Sequence, residues 1–307
     1  MSELFRTVIC LSFVGTCILS VVLLCQRLTS LDRTQYAFTS YLLAIAIFAI
    51  PLYPIKSDTE VIVRSIDDVV GLYIYDFLSN PYIIAAWLTG SLVYLIVFYV
   101  RYARASRNLK KGIRTAPGTI QRIFDYVCQN MGMAGSAALA SSFNKHSPIV
   151  IGLLKPMILL PESLDVYDEH DIELIFKHEL AHVRNRDNWI KLLANTVLAF
   201  HWFNPVAHLL LNQFVASCEL RCDCNAVKGR SMETRQHYCE MLIHLAHGAT
   251  SNNKYAVHYS FSQKERNFKK RIECIISDDG SRGKKHGRLM TAFLCAIMVS
   301  AAMPVLI

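Results

Sequence analysis

Charge is scarce in this chain. Of its 307 residues only 18% are Asp, Glu, Lys or Arg, against 53% that are hydrophobic, and the mean hydropathy is positive. A soluble domain carries about a quarter of charged residues, so this balance excludes an ordinary soluble enzyme and points to a membrane protein. An interleaved aromatic and basic pattern is also missing. The formal net charge is +8, but most of the excess sits beside apolar runs, where bilayer orientation and anionic headgroups account for it; no direct nucleic-acid contact is expected. The ten cysteines make no disulfide framework. Cys10, Cys17, Cys25 and Cys295 fall in apolar runs, where the thiol is a small hydrophobe. Cys128, Cys218, Cys222, Cys224, Cys239 and Cys274 fall in a stretch expected to face a reducing cytosol. The close spacing of Cys218, Cys222 and Cys224 reads as structural rather than as a separate metal cluster. The first apolar run lacks a strong basic flank and a clear small-residue cleavage site, which argues against a cleaved signal peptide.

What the chain does have is long apolar runs. Thr7–Cys25, Tyr36–Ile55, Tyr82–Val100 and Leu289–Ile307 are each of a length to span a bilayer as a helix. Arg101, Arg104, Arg107, Lys110, Lys111 and Arg114 follow the third run, and Arg282, Lys284, Lys285 and Arg288 precede the fourth. Both flanks are therefore expected on the cytoplasmic side. The loop from Lys56 to Pro81 carries Asp58, Glu60, Asp67, Asp68 and Asp76 against Lys56 and Arg64, which suits the outer side. The expected organisation is a membrane region at 1–100 with three spans, a cytoplasmic domain at 101–288, and a fourth span at 289–307. Trp189–Leu211 is a further apolar stretch, but a crossing there would separate the candidate ligands described next. A hairpin touching the membrane at its tip and a hairpin buried in a core both remain open.

Chemistry enters at His178-Glu179-Leu180-Ala181-His182. On a helix, residues four apart share a face, so both imidazoles reach one ion, and Glu179 stands beside it to take a proton from water. Asp168 is a candidate N-cap for that helix, with Asp171 and Glu173 at its positive end and Ile172, Ile175 and Phe176 as its apolar stripe. A catalytic zinc takes three protein ligands. Glu219 is the candidate third. Asp223 lies four residues on, placed to accept a hydrogen bond from the far nitrogen of a ligand histidine. An ordinary surface acidic pair explains these charges poorly, because Leu209, Leu210, Leu211, Phe214, Val215, Ala216 and Leu220 make the surrounding helix apolar. Asp187 reads as an N-cap for a helix from Asn188 to about Phe203, and Asn204-Pro205 as the turn before a helix from about Val206 to Val227. Folding there sets residues near 190 level with residues near 219, which returns Glu219 to the end where the H-E-x-x-H helix stops.

These residues, with Arg186-Asp187, His201-Trp202-Phe203-Asn204-Pro205, Glu219-Leu220-Arg221-Cys222-Asp223 and the segment Ser147–Pro161, resemble the BlaR/MecR-type antirepressor membrane metallopeptidases over nearly the whole chain. The resemblance implies a multi-pass α-helical membrane protein with four spans and a mainly α, α+β cytoplasmic gluzincin-like zinc metalloprotease domain. It implies Zn2+ on His178, His182 and Glu219, Glu179 as the general base, and Asp223 behind a ligand histidine. Ile149–Leu160, split near Gly152 and Pro156, is a hairpin whose edge either pairs with an extended substrate or only packs. Sensor members of the family carry an extracellular penicillin-binding domain after the fourth span; none is present in these 307 residues, so proteolysis is expected without β-lactam sensing. Ser142-Phe143-Asn144-Lys145 matches S-x-x-K but has no K-T-G partner and is read as chance.

The expected activity is a zinc metalloendopeptidase acting on a cytoplasmic protein, by analogy a transcriptional repressor, or on its own basic linker Ser281–Arg288. The expected partners are that substrate, the lipid bilayer and, in a homodimer, a second copy. A quality-control protease of the HtpX/Ste24 type shares H-E-x-x-H and E-x-x-x-D, but Cys222 and the Trp202–Pro205 segment favour the antirepressor family. A non-catalytic signalling scaffold is the third reading, disfavoured by the intact Glu179. His201, His208 and Tyr238 are the candidates for stabilising an oxyanion.

Overall fold

The computed structural model describes residues 76–142, 147–161, 167–250 and 258–277, a helix at 35–49, and single helical positions between 5 and 23. The chain divides into two compact units, one holding residues 1–99 and Leu193–Val215, the other Val100–Leu192 and Ala216–Ser281. Within the 101–288 stretch expected from the sequence as one domain, Leu193–Val215 group with the N-terminal residues. The linker and fourth-span readings at Ser281–Arg288 and Leu289–Ile307 lie outside the described residues.

In the first unit, helix α1 covers Gln35–Ala49 and α2 covers Pro81–Lys110, running on into the second unit. Among the described residues α2 is the single helix long and apolar enough to cross a membrane. Leu92, Val93, Ile96 and Val97 on it are about half exposed. The expectation of four spans is therefore reduced to one on the described residues. The Tyr36–Ile55 run appears as the 15 residues of α1, and Thr7–Cys25 is helical wherever it is described. Most of the acidic loop from Lys56 to Pro81 lies outside the described residues.

The hairpin is made by α5 (Asp187–Phe200) and α6 (Pro205–Ala226). Its turn is pinned inside the first unit by polar bonds. His201 lies 2.6 Å through Nδ1 from Ser12 Oγ and 3.1 Å through Nε2 from the Phe48 carbonyl. Asn204 donates to the Ser12 carbonyl and to Thr16 Oγ1. Trp87 donates to the Phe200 carbonyl at 2.9 Å. Gly90 allows a close approach here, since a Cβ on it would fall 2.5 Å from the Trp202 ring. The turn residues His201 and Asn204 are buried, whereas Leu193, Phe200, Trp202, Phe203 and Leu209 keep exposed apolar surface.

The second unit is α+β. Strands β1 (Ile113–Arg114), β2 (Ala138–Ser142), β3 (Ile149–Ile151) and β4 (Met157–Pro161) form a sheet in the order β1-β2-β4-β3. β2 runs parallel to β4, pairing Ala140 with Leu159; β3 is antiparallel to β4, pairing Val150 with Ile158. The β3–β4 hairpin was expected, and its turn requires glycine: Gly152 sits at φ +86, and a Cβ there would lie 2.4 Å from the Lys155 carbonyl oxygen. Of the S-x-x-K stretch only Ser142, in β2, is described. Helices α3 (Gly118–Asn130), α4 (Glu169–Asn185), α7 (Met232–Thr250) and α8 (His258–Ile276) complete the unit. Its core joins Phe124, Ile158, Leu160, Phe176, Leu180, Tyr238 and Ile275, with the Phe124 and Phe176 rings 5.1 Å apart. Burying these side chains on one side of α4 fixes which way its polar face turns.

Candidate metal centre

α4 begins as the sequence predicts. Asp168 caps it by accepting from the Asp171 backbone N–H, and Asp171 reciprocates toward the Asp168 backbone N–H. The helix ends at Arg186, whose φ of +54 makes it the one non-glycine residue in the left-handed region among the described residues. Its N–H bonds back to His182 and Val183, while its carbonyl accepts from Trp189 and Ile190 at the start of α5. That tight reversal turns Asp187 onto the end of α4. The sequence reading takes Asp187 for a helix cap, but its carboxylate Oδ2 lies 2.7 Å from His182 Nδ1.

His178 and His182 project from one face of α4 with their Nε2 atoms 3.2 Å apart. Glu219 on α6 sets Oε2 3.7 Å from His178 Nε2 and Oε1 3.7 Å from His182 Nε2. Behind the rings, Asp223 Oδ1 lies 3.0 Å from His178 Nδ1. Both Nδ1 atoms therefore face carboxylate oxygens that only accept. Each neutral imidazole must then carry its hydrogen on Nδ1, which leaves two Nε2 lone pairs and a carboxylate aimed at one point. Donors about 2.0–2.1 Å from a tetrahedral ion stand roughly 3.3–3.4 Å from one another, close to the spacing seen. His178, His182 and Glu219 can thus hold a divalent ion. This is the donor set read from the sequence, brought together by the α5–α6 hairpin.

The supporting shell is larger than the sequence reading found. Arg271 on α8 donates to both oxygens of Asp223, at 2.6 and 2.9 Å. Tyr238 on α7 donates to Asp223 Oδ1 at 3.0 Å and lies 3.1 Å from His178 Nδ1. Arg221 donates to Asp187 Oδ1 at 2.5 Å. Lys191, one turn after Asp187, lies 3.4 Å from Glu219 Oε1, which realises the expected levelling of residues near 190 with residues near 219. Of the three oxyanion candidates, His201 and His208 belong to the first unit, where His208 Nε2 bonds to the Trp202 carbonyl. Tyr238 does stand at the centre, but on the Nδ1 side of His178, where it orients the ring. The signal for Asp187 was available: it stands five residues past His182 at a helix junction. Nothing local marks Tyr238 or Arg271, which arrive from separate helices.

The cysteines point in different directions. Cys222 Sγ lies 3.4 Å from His182 Nδ1 and 3.7 Å from Asp187 Oδ2. Cys224 faces Cys274, and Cys218 is fully buried. The three do not converge as a metal cluster. His182, Asp187 and Cys222 do form a second group with metal-ligand spacing, but it uses the Nδ1 face that Asp187 already occupies.

The electrostatics match this layout. Burial opposes charge on His178, yet the bond and charge of Asp223 lift its pKa to about 10. Burial likewise opposes charge on His182, and Asp187 and Cys222 lift it to about 11. Asp223 is fully buried, which alone would raise its pKa, but the Arg271 charge and the His178 bond hold it down at about 2. Glu219 is held well below the usual range by the two histidines against its own burial. Glu179 moves the other way: burial raises its carboxyl pKa against the lowering charges of His178 and His182.

β3 is an edge strand, and the start of α5 is tied to its hairpin: Asn188 donates to the Val150 carbonyl and Trp189 to the Leu153 carbonyl. With that geometry established, comparison with known proteins is decisive for the family. The pattern of the BlaR1 peptidase M56 family matches residues 75–275, a span that includes every residue of the centre. The chain belongs to this family. M56 proteins are metallopeptidases, in keeping with the donor set. The chain is 25% identical over 229 residues to the methicillin resistance mecR1 protein of Staphylococcus aureus, covering 73% of this chain and 38% of that protein. It is 21% identical over 194 residues to regulatory protein BlaR1 of Bacillus licheniformis, covering 63% and 32%. With regulatory protein BlaR1 of Staphylococcus aureus the identity is 26% over 152 residues, covering 49% and 25%. This M56 chain thus spans less than two fifths of the length of each of these relatives.

Proposed function

We propose that this M56 chain is a membrane-held zinc endopeptidase that cuts a regulatory protein, of the repressor class, on the cytoplasmic side. The carrying observation is the convergence of His178 Nε2, His182 Nε2 and the Glu219 carboxylate within 3.7 Å, both rings backed by carboxylates. Two imidazoles and one carboxylate are the donor set of zinc peptidases that keep a position open for water. When bound, zinc would polarise the scissile carbonyl and acidify water. Glu179 would take the proton from the attacking water and pass it to the leaving amine. Asp223 and Asp187 would hold the rings; Arg271 would keep Asp223 ionised, and Arg221 would hold the Asp187 carboxylate in place. The edge of β3 is placed to align an extended chain beside α4 by main-chain bonds.

Membrane placement rests on α2, whose apolar side chains stay exposed, and on the basic residues flanking it. The M56 match and the regulatory relatives favour selective cutting over the broad degradation of an HtpX/Ste24-type protease. The test compares intracellular proteins in cells carrying the active chain and its Glu179→Ala form. One protein shortened at a single bond only with the active form is expected. Identical protein profiles in the two cell lines would refute the reading, and general loss of misfolded membrane proteins would shift it to quality control.

A further inference from the structure

Cys224 on α6 and Cys274 on α8 hold their sulfurs 3.0 Å apart. That is well inside ordinary sulfur–sulfur contact and about 1 Å from a bonded pair. The chemistry proposed for the metal centre uses neither thiol. Both sit at informative places in the chain. Cys224 directly follows Asp223, and Cys274 lies one turn beyond Arg271 on the same face of α8. The thiol pair therefore lies beside the Arg271–Asp223 ion pair and joins the same two helices. Cys224 is partly exposed, whereas Cys274 is buried. Cys128, Cys218, Cys222 and Cys239 are buried as well.

We propose that Cys224 and Cys274 form a modification site, a dithiol that low-molecular-weight disulfides close reversibly to a staple between α6 and α8. Cys224, the more accessible sulfur, attacks one sulfur of the small disulfide as a thiolate and displaces a small thiolate. Cys274, having lost its proton, then displaces the second small thiolate from the mixed disulfide. The protein loses two electrons and two protons, and the small disulfide gains them as two thiols. The bond with the facing Cys274 thiol, and then burial, raise the pKa of Cys224, so closure is slow near neutral pH and quickens in alkali. The staple spans a long loop, residues 224–274, and so restrains the unfolded chain. It also fixes the register of Arg271 against Asp223, and through Asp223 the ring of His178. That last consequence rests on the metal-centre reading; the closure itself does not.

The experiment uses the full chain in detergent, treated with glutathione disulfide at pH 8.5 and mapped by peptide mass spectrometry. A Cys224–Cys274 cross-link that reductant reverses is expected, absent in Cys224→Ser and in Cys274→Ser. Thermal unfolding of the closed form should move up on the order of 5–10 °C. A glutathione adduct that persists on Cys224, or a cross-link joining any other pair, would overturn the proposal. Zinc release to a chelator, measured on the same samples, should slow on the order of tenfold when the staple is closed. Unchanged release beside a formed cross-link would overturn the link to His178. A chain that binds no zinc yet still closes would fault the metal-centre reading and leave the thiol site standing.

Discussion

Replacing Arg271 with Met removes a cation and keeps much of the side-chain bulk. In the parent chain the guanidinium makes two bonds to Asp223, at 2.6 and 2.9 Å. Asp223 has no exposed surface. Without Arg271 its carboxylate is a buried charge held only by Tyr238 and His178. Breaking such a pair from one side costs about 3–5 kcal/mol. Burial already presses the Asp223 pKa upward, and only the opposing groups hold it at about 2, so the variant relieves part of the cost by taking up a proton. A protonated Asp223 is a poor acceptor for the His178 Nδ1 hydrogen, which loosens the ring that must aim Nε2 at the ion. Two readouts follow. Thermal unfolding of the second unit should fall by roughly 10 °C, from about 2–4 °C per kcal/mol for a domain of this size. Zinc affinity, from chelator competition at fixed pH, should fall about 10–100-fold. Arg271→Lys keeps the charge and one bond and should fall between. An Arg271→Met chain that holds zinc as tightly as its parent and melts within a degree of it would falsify the bracing argument.

Glu179→Gln should keep its zinc stoichiometry while cleavage of the regulator falls at least about 10²–10⁴-fold, the range for a general base; retained cleavage would remove Glu179 from that role. Carboxylate partners raise the pKa of His178 to about 10 and of His182 to about 11, and the two rings, 3.2 Å apart at Nε2, titrate as a coupled pair, so zinc must displace at least one proton between pH 6 and 9. The logarithm of apparent affinity should therefore climb by roughly one or more per pH unit there, checked by titration calorimetry in buffers of differing ionisation heat. Asp223 has its folded pKa depressed to about 2 from 3.8. Its contribution, about 2–3 kcal/mol, is present above pH 4 and disappears as pH falls through 2, so Asp223→Asn should flatten the acid limb of an unfolding curve over that window. Gly90→Ala sets a methyl 2.5 Å from the Trp202 ring and should destabilise the first unit by about 1–3 kcal/mol in thermal unfolding.

The local parts of the centre were legible because helix geometry is local. Residues four apart share a face, so His178 with His182 and Glu219 with Asp223 could be paired on sight. The Asn204-Pro205 turn was enough to bring the two pairs level. The bracing residues obey no such rule. Arg271 reaches Asp223 across 48 residues of sequence and Tyr238 reaches His178 across 60, through helix packing that no period encodes. Asp187 was read only as a helix cap; the left-handed turn at Arg186 is what brings its carboxylate to His182 Nδ1. His201 attracts notice as a catalytic candidate because it lies in a distinctive motif; its bonds to Ser12 and Phe48 give it a structural task in the hairpin turn instead. Apolar runs reveal length and composition but not helix bounds, and of the four only α2 meets the spanning criterion among the described residues.

X-ray absorption at the zinc edge, on full-length chain loaded with one equivalent of the ion, reads the ligands directly. The structure calls for nitrogen and oxygen neighbours near ~2.0–2.1 Å, with imidazole scattering from two rings and no sulfur near ~2.3 Å, and for loss of binding in Glu219→Ala. A sulfur neighbour would place the ion on Cys222 behind His182, and a chain that takes up no zinc would contradict the centre altogether.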